Sequence, residues 1–490
     1  MADEIILIRP KNIYNYNNYP PLNLINLASV LKLNKYNVSI INAHLEEDVL
    51  AVINKKLEDC LFIGITLLTG DVPDAYRIMK FIKANSNIPI VVGGWHCTLF
   101  PEQMADLEYV DYVVAGEGEE HIVEIANIIR DRRTVNNKVF YKNILNIEDL
   151  PVPDYSLDIN IEKYINNFLT DKLSEYARQP MRWLPYDSSR GCPSLCTFCI
   201  NVVAENTRYR KKSAEKVVSE IEHIVKKYNI SHLKIIDDNF FVDIKRVREI
   251  CKGIVNKGLN ITWDAECRCD YFNNNMLNDQ TLSLAKGAGL IQLTLGVESG
   301  SMHTLKLMKK GITPEQGEYA VKRCDDYGIV PRCSLMIEVP GESMEDIKKT
   351  IAFVKKLRKY HHFTCGVQIF RPYPKCELTD RMIKEGLFRE PESFIEWTDK
   401  KVIEMYMTHQ YIRPWHINGI YSEAAAYYLT MESGVSLSRH MLKRLTDRLI
   451  LKVFIEIARI RNKLNFYKFP IDRRMYKTFF NSYYQRTNKS

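Results

Sequence analysis

The sequence is bounded first by what it lacks. No apolar run approaches the roughly 18 residues that a bilayer-spanning helix needs. The opening Met1-Ala-Asp-Glu4 leads straight into a short apolar strand, without the charged and apolar regions of a signal peptide. No cysteine lies beyond Cys376, and the 12 present fall at irregular spacings. That excludes the framework of a small disulfide-stapled secreted domain and points to a reducing cytosol. What is present is ordinary globular composition: 490 residues, 46% hydrophobic and 26% charged, with a formal net charge of +8. A chain of that length holds two or three domains.

One stretch is dense in chemistry: Arg190-Gly191-Cys192-Pro193-Ser194-Leu195-Cys196-Thr197-Phe198-Cys199-Ile200. Cys192, Cys196 and Cys199 follow an apolar run at a spacing that lets three thiolates converge on one face of a loop. Soft thiolates suit iron–sulfur clusters or zinc. A structural zinc site would want a fourth Cys or His at short range. The nearest downstream candidates, His223 and His232, fall on other elements. A [4Fe–4S] cluster with one open iron is the better reading, against zinc or three thiols spaced by chance. Cys267 and Cys269 form the only other close pair, so a ligand set for a second cluster is not evident.

The flanking sequence alternates strands with helices. Apolar strands are expected at 4–10, 38–43, 61–68, 88–94 and 109–115, with helices at 22–33, 46–58, 72–84 and 118–131. This is the rhythm of a doubly wound parallel sheet, whose ligand crevice opens at the carboxyl ends of the strands. Those ends carry Thr66, Leu67 and Thr69, then Gly93, Gly94 and His96, then Gly116 and Glu117. Small residues there let a large ligand approach the backbone. A bridge spans 136–180, with a short strand-like Val139-Phe-Tyr141 and the Pro-rich Leu150-Pro-Val-Pro-Asp-Tyr155. Beyond it, helices at 214–228, 243–257, 279–287, 314–327 and 343–359 precede strands at 232–236, 261–266, 292–297, 332–339 and 364–370. That order predicts a partial (β/α)6 barrel with its active face at the strand C-termini.

The cysteine spacing, with an aromatic residue before the last Cys, resembles the radical S-adenosylmethionine (SAM) enzymes. The resemblance implies that Cys192, Cys196 and Cys199 hold the cluster, that SAM chelates its fourth iron, and that Phe198 packs near the adenine. It also implies SAM contacts at Asp237, Asp238 and Asn239, at Arg268, at Glu298 and Ser299, and at the Pro340-Gly341-Glu342 turn. The segment Pro372-Tyr-Pro-Lys-Cys-Glu-Leu378 departs from the usual family ending. The first domain resembles the cobalamin-binding domain that precedes many radical SAM barrels, through Tyr19-Pro-Pro-Leu-Asn23, Gly93-Gly-Trp-His96, Leu99-Phe-Pro-Glu102 and Gly116-Glu-Gly118. The Asp-x-His-x-x-Gly motif that supplies a cobalt-ligating His elsewhere is absent, Asn42-Ala-His44 being followed by Leu-Glu-Glu. Cobalamin would then bind without a protein ligand to cobalt; a Rossmann-like domain that binds no corrin is the alternative. The expected organisation is a cobalamin-binding-like Rossmann domain (1–135), a linker (136–180), a radical SAM barrel (181–400) and a basic helical C-terminal domain (401–490).

From Lys401 onward sixteen Lys plus Arg stand against six Asp plus Glu, so the remainder of the chain is near neutral. Helices are expected at 420–431, 437–463 and 473–484, with Leu445, Leu449, Val453, Ile457 and Ile460 on one stripe. Three readings compete: a cap packed on the barrel, a membrane-surface helix serving a lipid-like substrate, or nucleic-acid binding, for which no accompanying motif exists.

The resemblance implies one-electron cleavage of SAM to a 5′-deoxyadenosyl radical, with the hard step carried by the cofactor. It implies a small one-electron reductant such as flavodoxin or ferredoxin, and a small-molecule or lipid-like substrate. With cobalamin, the simplest outcome is methylation of an unactivated carbon. Oxidative ring closure of the anaerobic magnesium-protoporphyrin monomethyl ester cyclase type, SAM chemistry without cobalamin, and an iron–sulfur binding protein without turnover are the alternatives.

Overall fold

In a computed structural model of the chain, residues 4–13, 19–142, 146–165, 181–204, 207–387, 389–407, 413–433, 445–476 and 478–479 are described. The N-terminal sheet is wholly parallel. Its strands are β1 (Glu4–Arg9), β2 (Asn37–Asn42), β3 (Cys60–Thr66), β4 (Ile90–Gly93), β5 (Tyr112–Gly116) and β6 (Val139–Lys142), in the order β2-β1-β3-β4-β5-β6. Ile5, Ile6, Leu7 and Ile8 are all at most 1% exposed. A strand covered on both faces by helices reads as an unbroken apolar run, and this one does. Strand order reverses between β1 and β3, so the crevice for a ligand opens above their carboxyl ends. Strand β6 pairs with β5 from Val139↔Val113 onward. The segment read as the start of a linker is thus the last strand of this sheet.

Where a helix was expected over 46–58, the chain makes the short helix Val49–Asn54 between 3-10 turns at Ala43–Leu45 and Leu57–Asp59. The Asp48 carboxylate accepts from the Ala51 N–H at 3.1 Å and caps the helix, whose first residue, Val49, falls three residues later than the apolar pattern suggests.

The second sheet comprises β7 (Trp183–Tyr186), β10 (His232–Ile235), β11 (Thr262–Cys267), β12 (Leu290–Glu298), β13 (Val330–Ile337) and β14 (Thr364–Ile369). Between β7 and β10, a two-residue antiparallel ribbon joins β8 (Ser189–Arg190) and β9 (Arg210–Lys211). The order β14-β13-β12-β11-β10-β7, parallel throughout, is a six-stranded open barrel. Its strands alternate: Leu293, Leu295 and Val297 are fully buried under the helices, while Thr294 and Gly296 stand half-buried on the opposite face. The helices start cleanly. Thr313 with Gln316 and Ser343 with Asp346 form capping boxes ahead of Pro314–Asp326 and Met344–Leu357.

The free edge of β14 is covered by the helix Gly419–Glu432. Val367 donates its N–H to Thr430 Oγ1 at 2.9 Å, and Ser433 Oγ donates to the Cys365 carbonyl at 2.7 Å. Leu445–Leu464 packs on that helix in turn, Asn462 Nδ2 donating to the Tyr428 carbonyl at 2.9 Å. Its buried face carries Leu451, Ala458 and Asn462, whereas Leu449, Val453 and Ile460 are 51%, 59% and 57% exposed. Those three members of the expected stripe therefore face away from the neighbouring helix, the contact being made by Leu451, Ala458 and Asn462 instead. The rest of the expected helices 437–463 and 473–484, at 437–444 and 480–484, lies outside the described residues, as does the side chain of Leu445. No described helix is long and apolar enough to cross a membrane.

Docking of this cap rests on Glu338, fully buried just past β13 at φ 62°. Its carboxylate accepts from the N–H groups of Ile417 at 2.8 Å and Asn418 at 3.2 Å, and from Ser422 Oγ. Replacing Glu338 with Ala should cost about 3 kcal/mol, since hydrogen bonds to a charged group are worth roughly 1.5–3 kcal/mol each. Urea unfolding and limited proteolysis near 413–433 would both register the loosened cap; an unchanged midpoint and cleavage pattern would contradict it.

Candidate functional site

The carboxyl ends of the two sheets face one another across a cleft of about 490 Å³, within the range of cofactor pockets. One wall comes from the first domain: Leu7 and Arg9 of β1, Thr66 and Leu68 at the end of β3, Gly93 to Trp95 at the end of β4, and Gly116 to Glu119 at the end of β5. The other wall comes from the barrel, through Pro185, Asp187, Ser189, Arg190, Ile236 and Asp238. Tyr19 to Leu22, in the loop before the first helix, close a third side.

The lining is mostly apolar, with Tyr19, Leu27, Ile65 and Trp95 standing beside the glycines of the strand ends. Gly94 sits at φ 97°, and a Cβ there would come within 2.9 Å of both the Leu67 carbonyl and Thr66 Oγ1. Only glycine makes this turn. Asn23 Nδ2 donates to Thr66 Oγ1 at 2.9 Å, and the Gly116 N–H donates to Thr98 Oγ1 at 2.9 Å. The ends of β3 and β5 are thereby tied to the helices Leu22–Leu33 and Trp95–Leu99.

Of the eight residues expected around a corrin, Thr66, Gly93, Gly94, Gly116 and Glu117 line the cleft. Leu67, Thr69 and His96 do not. Leu67 is fully buried, its N–H bonded to the Gly93 carbonyl. Thr69 Oγ1 lies 3.3 Å from His96 Nδ1. The His96 ring is itself fully buried among Phe100, Phe394 and Trp397, and burial pushes its pKa down to about 3, so it stays neutral. The Gly-Gly-Trp-His pattern placed His96 after a strand, but the short helix Trp95–Leu99 turns it into the core. His44 is also turned away, accepting from the Asn12 N–H at 3.0 Å. Among the described residues lining the cleft there is no His.

The cysteine loop lies between β8 and the helix Ile200–Ala204. It is tied on three sides. Gly191 donates its N–H to Asp238 Oδ2 at 2.9 Å. Thr197 donates its N–H to the Met308 carbonyl at 3.0 Å, and its carbonyl accepts from the Leu378 N–H at 2.9 Å. The Cys199 N–H closes back on the Cys196 carbonyl at 3.1 Å. Cys196 is buried, and Cys192 and Cys199 are half-buried. Burial raises the Cys196 thiol; Lys310 and then Arg268 pull against it. Among the described residues no three His, Cys, Asp or Glu side chains form a ready-made single-ion site.

Around the loop, Asn239 Nδ2 lies 3.5 Å from Cys192 Sγ and donates to Tyr271 Oη at 2.9 Å, while its Oδ1 is buried without a partner. An orphaned acceptor beside a thiol fits an incoming donor such as a ligand ammonium. Arg268 pairs with Asp270 at 3.0 Å and reaches the Lys310 carbonyl at 2.8 Å. Glu298 pairs with Lys310 at 2.8 Å. Phe198 lines a small hollow of about 70 Å³ with Ser334, Met336, Gln368 and Tyr373.

Two expected SAM residues point elsewhere. Asp237, 1% exposed, accepts from the Ser188 N–H and hydroxyl at 2.6 Å each and so ties β10 to the turn after β7. Ser299 is fully buried, 2.8 Å from Thr350 Oγ1, at the turn onto the helix Met302–Leu307. Lys310 and Arg190 were missed. Each is a lone basic residue, and only their distant carboxylates mark them. Arg190 meets Glu117 at 2.9 Å, Glu119 at 2.8 Å and Asp187 at 3.1 Å; Arg210 adds a second contact to Glu117.

Two family models match the chain: the Radical SAM superfamily over residues 186–354 and the B12 binding domain over 14–126. An uncharacterized methyltransferase of Pyrococcus horikoshii is 31% identical over 75% of this chain and 79% of its own length. The anaerobic magnesium-protoporphyrin IX monomethyl ester cyclase of Rubrivivax gelatinosus is 26% identical over 74% of this chain and 66% of its own. In fold, the radical S-adenosylmethionine methyltransferase TsrM from Kitasatospora setae, solved with cobalamin and a [4Fe–4S] cluster, superposes with a TM-score of 0.64. It covers 80% of this chain and 76% of TsrM at 18% identity.

The Arg190 network makes a pH prediction. In the wild type Arg190 holds the Asp187 carboxyl below its ordinary value against the opposing pull of burial. That stabilisation is present above the unfolded pKa of about 3.9 and is lost as pH falls through the lower folded value. Replacing Arg190 with Gln strips the guanidinium from the buried Asp187 and Glu119, while Glu117 keeps Arg210, and should cost about 3–5 kcal/mol at pH 8. Without Arg190, burial would push the Asp187 carboxyl up, so the deficit should shrink from pH 8 to pH 5. Denaturant melts at the two pH values would show it; a pH-independent deficit would refute the assignment.

Proposed function

Because this chain belongs to the radical SAM superfamily and joins a B12-binding domain to the radical SAM barrel, we propose that it is a cobalamin-dependent radical SAM methyltransferase acting on an unactivated carbon. The observation that carries the reading is the shared cleft. The glycine-lined ends of the first sheet share one cleft with Arg190 and Ala204, the residues that flank the cysteine loop on either side, and Arg190 is bound there to Glu117 of the first domain. Together a corrin, a [4Fe–4S] cluster and SAM supply one-electron bond cleavage and a transferable methyl group.

The residues of this chain then have separable tasks. Cys192, Cys196 and Cys199 would hold the cluster, and the bonds from Gly191 and Thr197 fix their loop. The orphaned Asn239 Oδ1 would accept from the SAM ammonium, and Asp238 would act through Gly191 by positioning the loop. Arg268, which already holds the 307–311 loop, offers the positive charge nearest a SAM carboxylate. On the opposite wall, Gly93, Gly94 and Gly116 would allow a flat macrocycle to lie on backbone, with Thr66 and Glu117 at its rim. A small soluble electron donor of the flavodoxin or ferredoxin type would supply the electron.

The likeness to the magnesium-protoporphyrin ester cyclase favours one second reading, an oxidative ring closure at the same site. Anaerobic reconstitution with iron, sulfide and hydroxocobalamin, followed by desalting, separates the cases by what stays bound. About one corrin and four irons per chain, with label from methyl-labelled SAM passing to an acceptor in a cell extract, is the expected result. Four irons, SAM cleavage and no methyl transfer would favour the cyclase. Changing Cys196 to Ala should abolish 5′-deoxyadenosine formation by at least about a hundredfold, as loss of a reaction centre does; surviving SAM cleavage would refute the cluster assignment.

A further inference from the structure

Beside the cysteine loop two opposite charges are buried outside the cleft lining: Lys310 and Glu298, 8% and 7% exposed and 2.8 Å apart. Taking such a pair out of water is costly, and an apolar replacement is often as stable, so a buried pair calls for a reason beyond stability. Three features of the fold accommodate this one. A Cβ at position 296 would come within 2.6 Å of Lys310 Nζ and 2.8 Å of Glu298 Oε1, so Gly296 keeps the space open. Glu298 stands at φ 62°, where the register of β12 on β13 shifts between Gly296 and Glu298. Arg268 Nη2 holds the Lys310 carbonyl at 2.8 Å.

The pair is directed at the cysteines. The segment carrying Lys310 is bonded to the loop through the Met308 carbonyl and the Thr197 N–H. Lys310 Nζ lies 5.9 Å from the centre of the Phe198 ring, between Cys196 and Cys199 in sequence. The pair is neutral as a whole, so its effect depends on which end is nearer. The ammonium is the end that faces the Phe198 ring of the cysteine loop. Lys310 itself stays charged: burial draws its pKa down, but Glu298 and Cys196 reverse this and hold it up at about 12.

We propose that Lys310 is an electrostatic positioning residue for the iron–sulfur cluster: anchored by Glu298, its ammonium raises the cluster's reduction potential and eases the one-electron step. Reduction adds one negative charge to the cluster, and a fixed cation in a poorly hydrated site favours the more negative form. Neither Glu298 nor Lys310 then need touch SAM. The inference rests on the assignment of Cys192, Cys196 and Cys199 as cluster ligands.

The test is a redox titration of the anaerobically reconstituted full chain, with dithionite as reductant, mediator dyes, and the reduced-cluster EPR signal as readout. Lys310→Met should lower the reduced-to-oxidised ratio at fixed potential about tenfold, a negative shift of about 59 mV for one electron. Lys310→Arg should stay within titration error. The double change Lys310→Met with Glu298→Gln leaves no unpaired buried carboxylate and should still shift negative. Potentials equal to wild type in the single and double variants would overturn the proposal, as would a positive shift. Loss of SAM affinity at an unchanged potential would also overturn it, making Lys310 a SAM ligand instead. A wild-type chain that assembles no four-iron cluster would defeat the function reading and this inference together; a cluster indifferent to Lys310 defeats this inference alone.

Discussion

The Arg190 guanidinium is the contact on which the two halves of the molecule depend. It stands two residues before Cys192 and takes carboxylates from both domains: Glu117 and Glu119 from the first, Asp187 from the barrel. A planar fork with five donors can serve three carboxylates at once, which an ammonium cannot do with the same directionality. Because the group is largely buried, its partners are poorly screened and the geometry is stiff. The distance between the glycine-lined strand ends and the cysteine loop is therefore set by side-chain chemistry rather than by the linker.

Elsewhere the site is built by removing side chains. Gly94 makes a left-handed turn that would bring any Cβ against the backbone of Leu67, and Gly296 vacates the room that Lys310 and Glu298 fill. Parallel strands provide the frame: their apolar faces are locked under helices, which leaves the carboxyl ends to carry loops of little intrinsic stability and much chemistry. The reversal of strand order between β1 and β3 makes the crevice, and the residues after those strands line it.

Some of this was legible in the sequence and some was not. The βα rhythm was, because apolar periodicity is a local property that every turn of chain repeats. The opening strand β7 and the sixth strand β6 were less so, being four residues each and embedded in Pro-containing bridges. His96 and Ser299 stood in the expected motifs yet turn inward, since a residue after a strand is placed by whatever helix begins there. The stripe of Leu449, Val453 and Ile460 shows the limit of periodicity. It predicts that one face of a helix is apolar, but the neighbour on which Leu445–Leu464 packs decides which face is covered.

The sequence by itself determined the cysteine spacing, the alternating architecture and the small residues at the strand ends, because each depends on neighbours within a few positions. Only the tertiary structure decided that Arg190 joins the domains, that Lys310 lies over the Phe198 ring, and that His96 turns into the core. Those facts depend on residues dozens of positions apart meeting in a desolvated space, where a single charge acts strongly and no local pattern records its partner.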